Sequence, residues 1–565
     1  MPRKKPDESQ PNRFRSRDII EARWVRRARQ ASEIKANPAR RLGLESLIAY
    51  LNTPRKIGGV ASAAVVRVFL AASANFGHYA STVNIMKRLV ELGFTGYFDV
   101  IVDFRSDSEK AENKVKVLLP GFSKWSASLD YSHAGTFLFQ GCKTLCRKLR
   151  SDMGTVEPAL DFGITGGIDI EKGRNDVSPD ELNVANLIKL QPYKWGEPIL
   201  VHVGARKIDV AATYKHLHIA KRTFYLSLPD DSSIEPFAKT APFNAVSEIC
   251  KATQAGTINL CTAYGVHTWT DPVQVLSNLS LGILCAQQES APGGMALISA
   301  ATLEARLQRP AVLVALGNLD DEKLKEKNRL KASPTMNLLQ KYLVESAPYS
   351  NSVIVRAHEN FKSFLGTRKV AERVKVLRRE SWEGNPQEIT TAINSLGAKQ
   401  LLIVEMGELP IPLFNYLYRA ANLPVVFEGQ NTAELVLNMG KPYFQLKHPD
   451  AFPPLDIGAD FNGTMRQYGM LCSAEGLMSD HWFDWKSEGV KRPPEKLGQF
   501  IRDCFGGTSN PTSQYFQDLR DTFHKEEIGK LEIVLRLFEA ERKYGEDWQQ
   551  KVAPMEKQRI LRQFA

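Results

Sequence analysis

Short apolar runs alternate with stretches of helical periodicity in the first half of the chain. The run AVVRVFLAA at 64–72 is followed by the polar segment SANFGHYAS, the amphipathic pattern TVNIMKRLVELG and a second apolar run, YFDVIVDF. This order predicts a strand, a helix and a strand, with the two strands parallel in one sheet. Further strands are predicted at 198–203 and 223–228, and helices over 242–289.

The second half of the chain repeats this alternation with more elements. Helices are predicted over 336–345, 386–396 and 412–421, and the strands that they separate are at 311–316, 352–357, 374–377, 400–405 and 423–427. Such alternation is typical of a doubly wound parallel sheet. A last helical pattern over 514–544 is expected to pack back across the two α/β domains.

The segment from 423 to 446, LPVVFEGQNTAELVLNMGKPYFQL, combines a strand, a glycine turn, a helix and a second strand. Gly429 lets the backbone approach a ligand closely. The N–H groups from Gln430 to Ala433 form the first turn of the helix and have no partners within it, so they can bind an anion such as a diphosphate. In the alternative interpretation, Gly429 only makes the turn.

Three other strand ends of the second half carry polar residues or glycines. Gly317 and Asn318 follow one strand, Arg356 and His358 end the next, and Glu405 ends a third. Because ligands of open α/β sheets bind at the carboxyl edge, we expect these residues to lie there with Gly429 to Thr432. A guanidinium such as that of Arg356 can make two parallel hydrogen bonds to a phosphate. Each of these residues alone also fits a purely structural role.

The Gly77-His78 pair follows the first predicted strand, in the loop at its carboxyl end. An imidazole with its ordinary pKa of about 6.5 can accept a proton near neutral pH, which makes His78 a candidate general base. Asp103 ends the next strand and Asp130 lies in a later loop, so either acid could orient it. The alternative is a histidine whose hydrogen bonds are satisfied within the loop.

The order G-x-N-T, an acidic residue, an apolar helix and G-K-P resembles the donor-binding segment of GT-B glycosyltransferases of the nucleotide-sugar-dependent, MurG-like kind. The resemblance implies two Rossmann-like doubly wound domains that face each other across a cleft. It also implies that the helix start holds the pyrophosphate of a nucleotide-sugar. Members often carry histidine or serine where this chain has Phe427 and Glu428, and their ribose-binding acid falls one position beyond Glu434, at Leu435.

The resemblance further implies an inverting, metal-independent transfer, with His78 removing the proton of the acceptor hydroxyl. The predicted donor-binding residues are Gly317, Asn318, Arg356, Glu405, Gly429, Gln430, Asn431, Thr432 and Glu434. A UDP-sugar is the favoured co-substrate, and no permanently bound cofactor is expected. We expect the chain to comprise four parts. They are a basic, partly disordered extension with an amphipathic helix (1–58), a Rossmann-like acceptor domain (59–300), a Rossmann-like donor domain (301–450), and a loop and helical region (451–565).

Composition is that of an ordinary globular protein, with 43% apolar and 24% charged residues. No apolar run reaches the roughly 18 residues needed to cross a bilayer, so we expect a soluble, cytoplasmic protein. The seven cysteines are scattered without a C-x-x-C pair, which argues against a disulfide framework or a zinc site. The chain also lacks G-x-x-x-x-G-K-[ST] and a G-x-G-x-x-G after a strand, the fingerprints of P-loop and NAD-binding proteins.

The formal net charge of +11 is concentrated near the N-terminus, where residues 1–56 contain 15 Lys and Arg against 6 Asp and Glu. The pattern over 18–34 predicts a basic amphipathic helix, which suits peripheral contact with the inner, anionic face of a membrane better than it suits nucleic acid. Packing of this helix on the body of the protein is the alternative. Two other functions stay open: a sugar-nucleotide 2-epimerase of the same fold, and a non-catalytic binding protein that uses its basic N-terminus.

Overall fold

The structure, a computed structural model, describes a little over half of the chain, in two compact units. Unit 1 comprises Met1–Tyr225 and Ile528–Ala565, and unit 2 comprises Leu226–Glu527. The described residues within them are 38–57, 60–71, 76–105, 108–151, 154–166, 176–190, 200–209, 234–266, 272–288, 298–319, 335–344, 372–428, 430–445, 494–505, 513, 516–517, 530–545 and 550. The basic helix predicted over 18–34 and the strands predicted at 223–228 and 352–357 lie outside them.

Unit 1 is built on an eight-stranded sheet with a small two-stranded sheet beside it. Its strands are β1 (Arg55–Ile57), β2 (Val60–Ala63), β3 (Val65–Leu70), β4 (Tyr97–Asp103), β5 (Phe137–Phe139), β6 (Cys142–Leu149), β7 (Leu160–Thr165), β8 (Val184–Lys189), β9 (Leu200–Val203) and β10 (Arg206–Asp209). The large sheet has the order β10-β9-β8-β7-β3-β4-β6-β5, and β8, β7, β3, β4 and β6 are parallel. The predicted βαβ unit and parallel sheet are thereby confirmed.

Most helices of unit 1 pack on one face of this sheet. They are α1 (Pro38–Arg41), α2 (Glu45–Leu51), α3 (Phe76–Glu91), α4 (Ser108–Leu118), α5 (Pro179–Leu182) and the C-terminal helix (Lys530–Tyr544). Alternate residues of β3 point to opposite faces. Val66 and Val68 join a core cluster that contains residues of α2, α3, α4 and the C-terminal helix. Val65 and Phe69 join a second cluster, on the opposite face, with residues of other strands, of loops and of α5.

A charge cluster is buried on this second face. Arg67 and Asp99 are fully buried and Arg147 is 5% exposed. The Nε atoms of both arginines donate to Asp99 at 2.8 Å, and the Arg67 guanidinium also donates to the carbonyls of Pro158 and Leu182. Burial alone would raise the pKa of Asp99, but Arg147 and Arg67 outweigh it and lower that pKa. Asp99 therefore stays ionised and ties β3, β4 and β6 together.

Unit 2 contains a six-stranded sheet in which all paired neighbours are parallel. Its strands are β11 (Asn259–Tyr264), β12 (Ala311–Leu316), β13 (Val374–Leu377), β14 (Leu401–Gly407), β15 (Val425–Phe427) and β16 (Tyr443–Gln445). The order is β13-β14-β12-β11-β15-β16. The strands β12, β13 and β14 lie on one side of β11, and the later strands β15 and β16 lie on the other side. Strand order therefore reverses between β11 and β15.

Helices connect these strands, as a parallel sheet requires. They are α6 (Ala241–Gln254), α7 (Pro272–Gln288), α8 (Ile298–Leu307), α9 (Thr335–Leu339), α10 (Arg379–Glu383), α11 (Gln387–Asn394), α12 (Ile411–Ala420), α13 (Gln430–Met439) and α14 (Pro494–Phe505), with a π-helical turn at Gln340–Val344. Among them, α6 contacts α10, α11 and α12, whereas α7 contacts α8, α9 and α14. The mixed α/β class with large parallel sheets, compatible with Rossmann-like domains, is confirmed for both units.

Several predicted boundaries differ from the observed ones. The stretch 242–289, predicted as helical and part of the first domain, contains β11, which pairs with β12 and β15 in unit 2. The two units meet in sequence at 225/226 instead of 300/301. Residues 38–57 were assigned to the basic extension, but the buried Leu44, Leu47 and Leu51 belong to the core of unit 1. The last described helix, Lys530–Tyr544, also belongs to unit 1.

We predict that Asp99→Asn lowers the free energy of unfolding of unit 1 by about 3–5 kcal/mol, because the variant leaves two buried guanidinium groups without their counter-ion. Chemical denaturation of the full chain measures the change. Glu45→Gln is the control, because the Glu45–Arg40 pair is about half exposed and its loss should cost about 0.5 kcal/mol. Equal effects of the two substitutions would contradict the structural role of Asp99.

Candidate functional site

The carboxyl edge of the unit 2 sheet, between β11 and β15, is the best candidate for a ligand site. Open α/β sheets bind ligands where the strand order reverses, because the loops there diverge to opposite faces and leave a crevice. Ala263 of β11 pairs with Val426 of β15, so the two strands end side by side. The next residues along each chain are Gly265 and Glu428, and α13 begins two residues further, at Gln430.

Gly265 and Glu428 are in direct contact at this edge. Gly265 has a φ of +88°, and a Cβ atom placed on it would lie 2.1 Å from the Cβ atom of Glu428. An L-residue at position 265 would therefore meet both backbone strain and a steric clash. The glycine is what allows Glu428 to lie at the reversal point.

The Glu428 carboxyl group has an unusual environment. Within the described part of the chain, it makes no hydrogen bond or ion pair. Burial raises its pKa to about 7, because no nearby cation compensates the lost hydration of the carboxylate. The neighbouring Tyr264 has its pKa raised to about 12, by burial and then by the negative charges of Glu428 and Glu408. Proton transfer near neutral pH is therefore within the range of Glu428.

The predicted anion-binding helix start is present at the same place. α13 spans ten residues, and its N-terminus lies at the carboxyl end of β15. Thr432 is 7% exposed in the first turn. Gln430, Asn431 and Glu434 lie on the helix, but their side chains are outside the described part of the structure, as is Gly429 as a whole. The first turn of α13 thus begins two residues after Glu428.

The other predicted donor residues occupy different parts of this edge. Gly317 follows β12, the neighbour of β11, and its N–H donates to the carbonyl of Gly407 at 2.9 Å. Asn318 is exposed beside it. Glu405 is two strands from β11, and its Oε2 accepts from the backbone N–H of Arg379, the first residue of α10. The observed contact of Glu405 is thus a helix-capping one, and Arg356 lies outside the described residues.

His78 lies in the first turn of α3. The prediction that it lies in a loop is therefore wrong. It is partly buried, and its carbonyl accepts a hydrogen bond from the Thr82 hydroxyl at 3.3 Å. The α3 helix follows β3, and strand order in unit 1 reverses between β3 and β7. The N–H of Gly166, just after β7, donates to the same Thr82 hydroxyl at 3.1 Å. This contact places the second turn of α3, one turn after His78, beside the end of β7 at the reversal point.

Asp103 and Asp130, the two acids considered as partners of a base, have other contacts. Asp103 is 2% exposed and accepts from Arg105 at 2.9 and 3.0 Å. Arg105 also bonds to Glu181 and to the carbonyl of Asp176, whose carboxylate pairs with Lys189 at 2.7 Å. These contacts form a polar network at the carboxyl edge of unit 1. Asp130 is exposed and accepts from the N–H and hydroxyl of Ser132.

In the sequence, Glu428 stands out only as a departure from the GT-B pattern. An acid that directly follows a predicted strand and precedes a glycine was the available signal. The sequence alone does not reveal the contact with Gly265, which is more than 160 positions away and directly follows β11, in a stretch predicted as helix. Cys142 and Cys146 lie on β6 and are buried.

In the described part of the chain, no group of three or more histidine, cysteine or acidic residues is arranged to hold a metal ion. Among the helices that the structure describes, none is long and apolar enough to cross a membrane.

We predict that Gly265→Ala destabilises unit 2 by clearly more than the 1–2 kcal/mol that left-handed backbone alone costs an L-residue. Gly141→Ala in unit 1 is the matched control, because Gly141 has a φ of +86° and its added Cβ would meet no atom within 4 Å. Thermal and chemical unfolding of the two variants gives the comparison. Similar losses would show that the contact with Glu428 adds nothing to the backbone strain.

We also predict that Glu428→Gln changes how stability depends on pH. With a pKa of 4.5 when unfolded and about 7 when folded, Glu428 binds more protons in the folded protein between these values. Its contribution is fully present below pH 4.5 and is lost as pH rises through 7, up to about 3 kcal/mol. Glu428→Gln should therefore gain stability relative to wild type between pH 5 and pH 8. The exposed Glu408→Gln should not, and parallel curves for wild type and Glu428→Gln would contradict the prediction.

No known family model matches this sequence, and no curated protein sequence matches it either.

Proposed function

We propose that this protein is a nucleotide-sugar-dependent glycosyltransferase of the GT-B type, with a UDP-sugar as the favoured donor. One observation carries the proposal: α13, the helix of the donor-like segment, begins at the point of an all-parallel sheet where strand order reverses. Helix N–H groups at such a point favour a diphosphate. In this proposal unit 2 binds the donor and unit 1 binds the acceptor, which is the two-domain GT-B arrangement.

The position of His78 adds support for an inverting transfer. In the proposed reaction, the acceptor oxygen attacks the anomeric carbon and forms the glycosidic bond, while the bond from that carbon to the diphosphate oxygen breaks. The acceptor proton passes to a ring nitrogen of His78, and the nucleoside diphosphate leaves with the bonding electron pair. The N–H groups at the start of α13 stabilise the departing negative charge, and this stabilisation does not depend on a metal ion.

Glu428 favours a second candidate, a sugar-nucleotide 2-epimerase. Such an enzyme moves protons at a sugar carbon, and a carboxyl group whose pKa is about 7 suits that task. The products separate the two functions, because an epimerase converts one sugar-nucleotide into its isomer, whereas a transferase releases nucleoside diphosphate only as the sugar reaches an acceptor or water. Peripheral membrane contact through the basic extension stays a prediction, since residues 1–37 lie outside the described structure.

We predict that wild-type protein turns over one donor from a panel of UDP-, GDP-, dTDP- and CMP-linked sugars. Free nucleotide, measured with and without cell-derived acceptor extract, reports the turnover. His78→Ala should reduce turnover by about 10²–10⁴-fold while donor binding persists, because it removes only the base. The double variant Asn431→Ala/Thr432→Ala should weaken donor binding itself.

His133→Ala is the control for this series, because His133 accepts a turn hydrogen bond from Gly135 and has no part in the proposed reaction. Its turnover should stay within about twofold of wild type. Wild-type protein that neither binds nor turns over any donor would contradict the proposed function. Turnover that is unaffected by His78→Ala would contradict the role of His78 alone.

A further inference from the structure

Glu428, whose carboxyl group has no partner among the described residues, lies just before the helix that would bind the proposed donor diphosphate. Glu428 directly follows β15, and α13 begins two residues later. The clash that any Cβ at Gly265 would make with Glu428 shows how closely the ends of β11 and β15 approach each other. This contact fixes the backbone of Glu428 beside the end of β11, at the point where strand order reverses.

The surroundings of Glu428 supply negative charge and no compensating cation among the described residues. From β11 it is faced by Tyr264, whose ring packs edge-on against Phe414 of α12 with centroids 5.2 Å apart. Glu408, just after β14, acts on the same Tyr264. Arg379, further along this edge, is paired with Glu383. On α12, the hydroxyl of Tyr418 donates to the carbonyl of Val426, and the side chain of Glu434 on α13 is outside the described part.

An ionised Glu428 would therefore repel a diphosphate, whereas a neutral carboxylic acid would attract it. Two anions in a partly buried crevice repel each other strongly, because little water screens them. A protonated carboxyl group carries an O–H donor, and phosphate oxygens accept such hydrogen bonds well. The same group can thus either exclude or hold the ligand, and one proton decides which.

We propose that Glu428 binds the donor diphosphate as a neutral carboxylic acid, donating a hydrogen bond from its O–H to a phosphate oxygen, so that one proton is taken up with the donor. This inference rests on the proposed function and adds to it a residue that controls donor binding. The proton comes from solvent, and no covalent bond other than O–H forms on Glu428. A sugar-nucleotide donor keeps a fully ionised diphosphate over the neutral pH range, so the titrating group belongs to the protein.

Calorimetric titration of the full chain with UDP-glucose, and with GDP-mannose as second probe, tests this proposal between pH 6 and pH 8.5. With the pKa of Glu428 at about 7, the wild-type Kd should rise about tenfold from pH 6 to pH 8. Titrations at pH 8 in two buffers of different ionisation heat should show uptake of nearly one proton per donor bound. This proton uptake is measured on wild-type protein and needs no substitution.

Glu428→Gln keeps an N–H donor but cannot titrate, so it should bind with the wild-type pH 6 affinity at every pH and without proton uptake. Glu428→Ala should bind weakly throughout, and Glu408→Gln should retain the wild-type pH dependence. Donor binding by wild type that is independent of pH and releases or takes up no proton would overturn the role of Glu428 while leaving the donor site intact. Failure of both probes to bind wild type at any pH would overturn the donor site, and the role of Glu428 with it.

Discussion

Parallel strands joined by helices must all end at the same edge of their sheet, and this constraint determines where the chemistry of this protein can lie. In unit 2, every paired neighbour is parallel, so the residues after β11, β12, β14 and β15 share one edge. The constraint brings Gly265 and Glu428 into contact although more than 160 residues separate them. It also separates Glu405 from them, because β14 is two strands away from β11.

Burial desolvates one carboxyl group in each unit, but the net shifts of the two pKa values have opposite directions. Asp99 is fully buried, but two arginines compensate its charge, and its pKa is lowered. Glu428 is less buried and has no such partner in the described structure, so desolvation prevails and its pKa rises to about 7. The ion pairs of Asp99 hold strands together, and a carboxyl group paired in this way stays ionised near neutral pH. A carboxyl group such as that of Glu428 has hydrogen-bonding capacity left for a ligand.

The apolar runs predicted half of the strands that the structure describes, namely β3, β4, β9 and β12 to β16, because buried parallel strands are nearly continuous β-branched and apolar stretches. β3 and β12 are of this kind. β11 was missed because Asn259, Thr262 and Tyr264 interrupt its apolar pattern, and because its strand character depends on β12 and β15, which are remote in sequence. The domain boundary was misjudged for the same reason. His78 was assigned to a loop because the glycine before it suggested a turn, whereas α3 begins at Phe76.

The N-terminus of α13 and the burial of Glu428 have opposite effects on the pKa of this acid. A helix N-terminus carries partial positive charge and by itself would lower the pKa of a nearby carboxyl group, by a contribution typically worth 0.3–1 kcal/mol. Desolvation of Glu428 raises its pKa by more than this, so the acid is half neutral at about pH 7. The helix start thus follows, two residues along the chain, an acid that is already close to giving up its negative charge. An incoming diphosphate brings two negative charges, which shift Glu428 further toward its neutral form and leave the N–H groups of α13 to the phosphate oxygens.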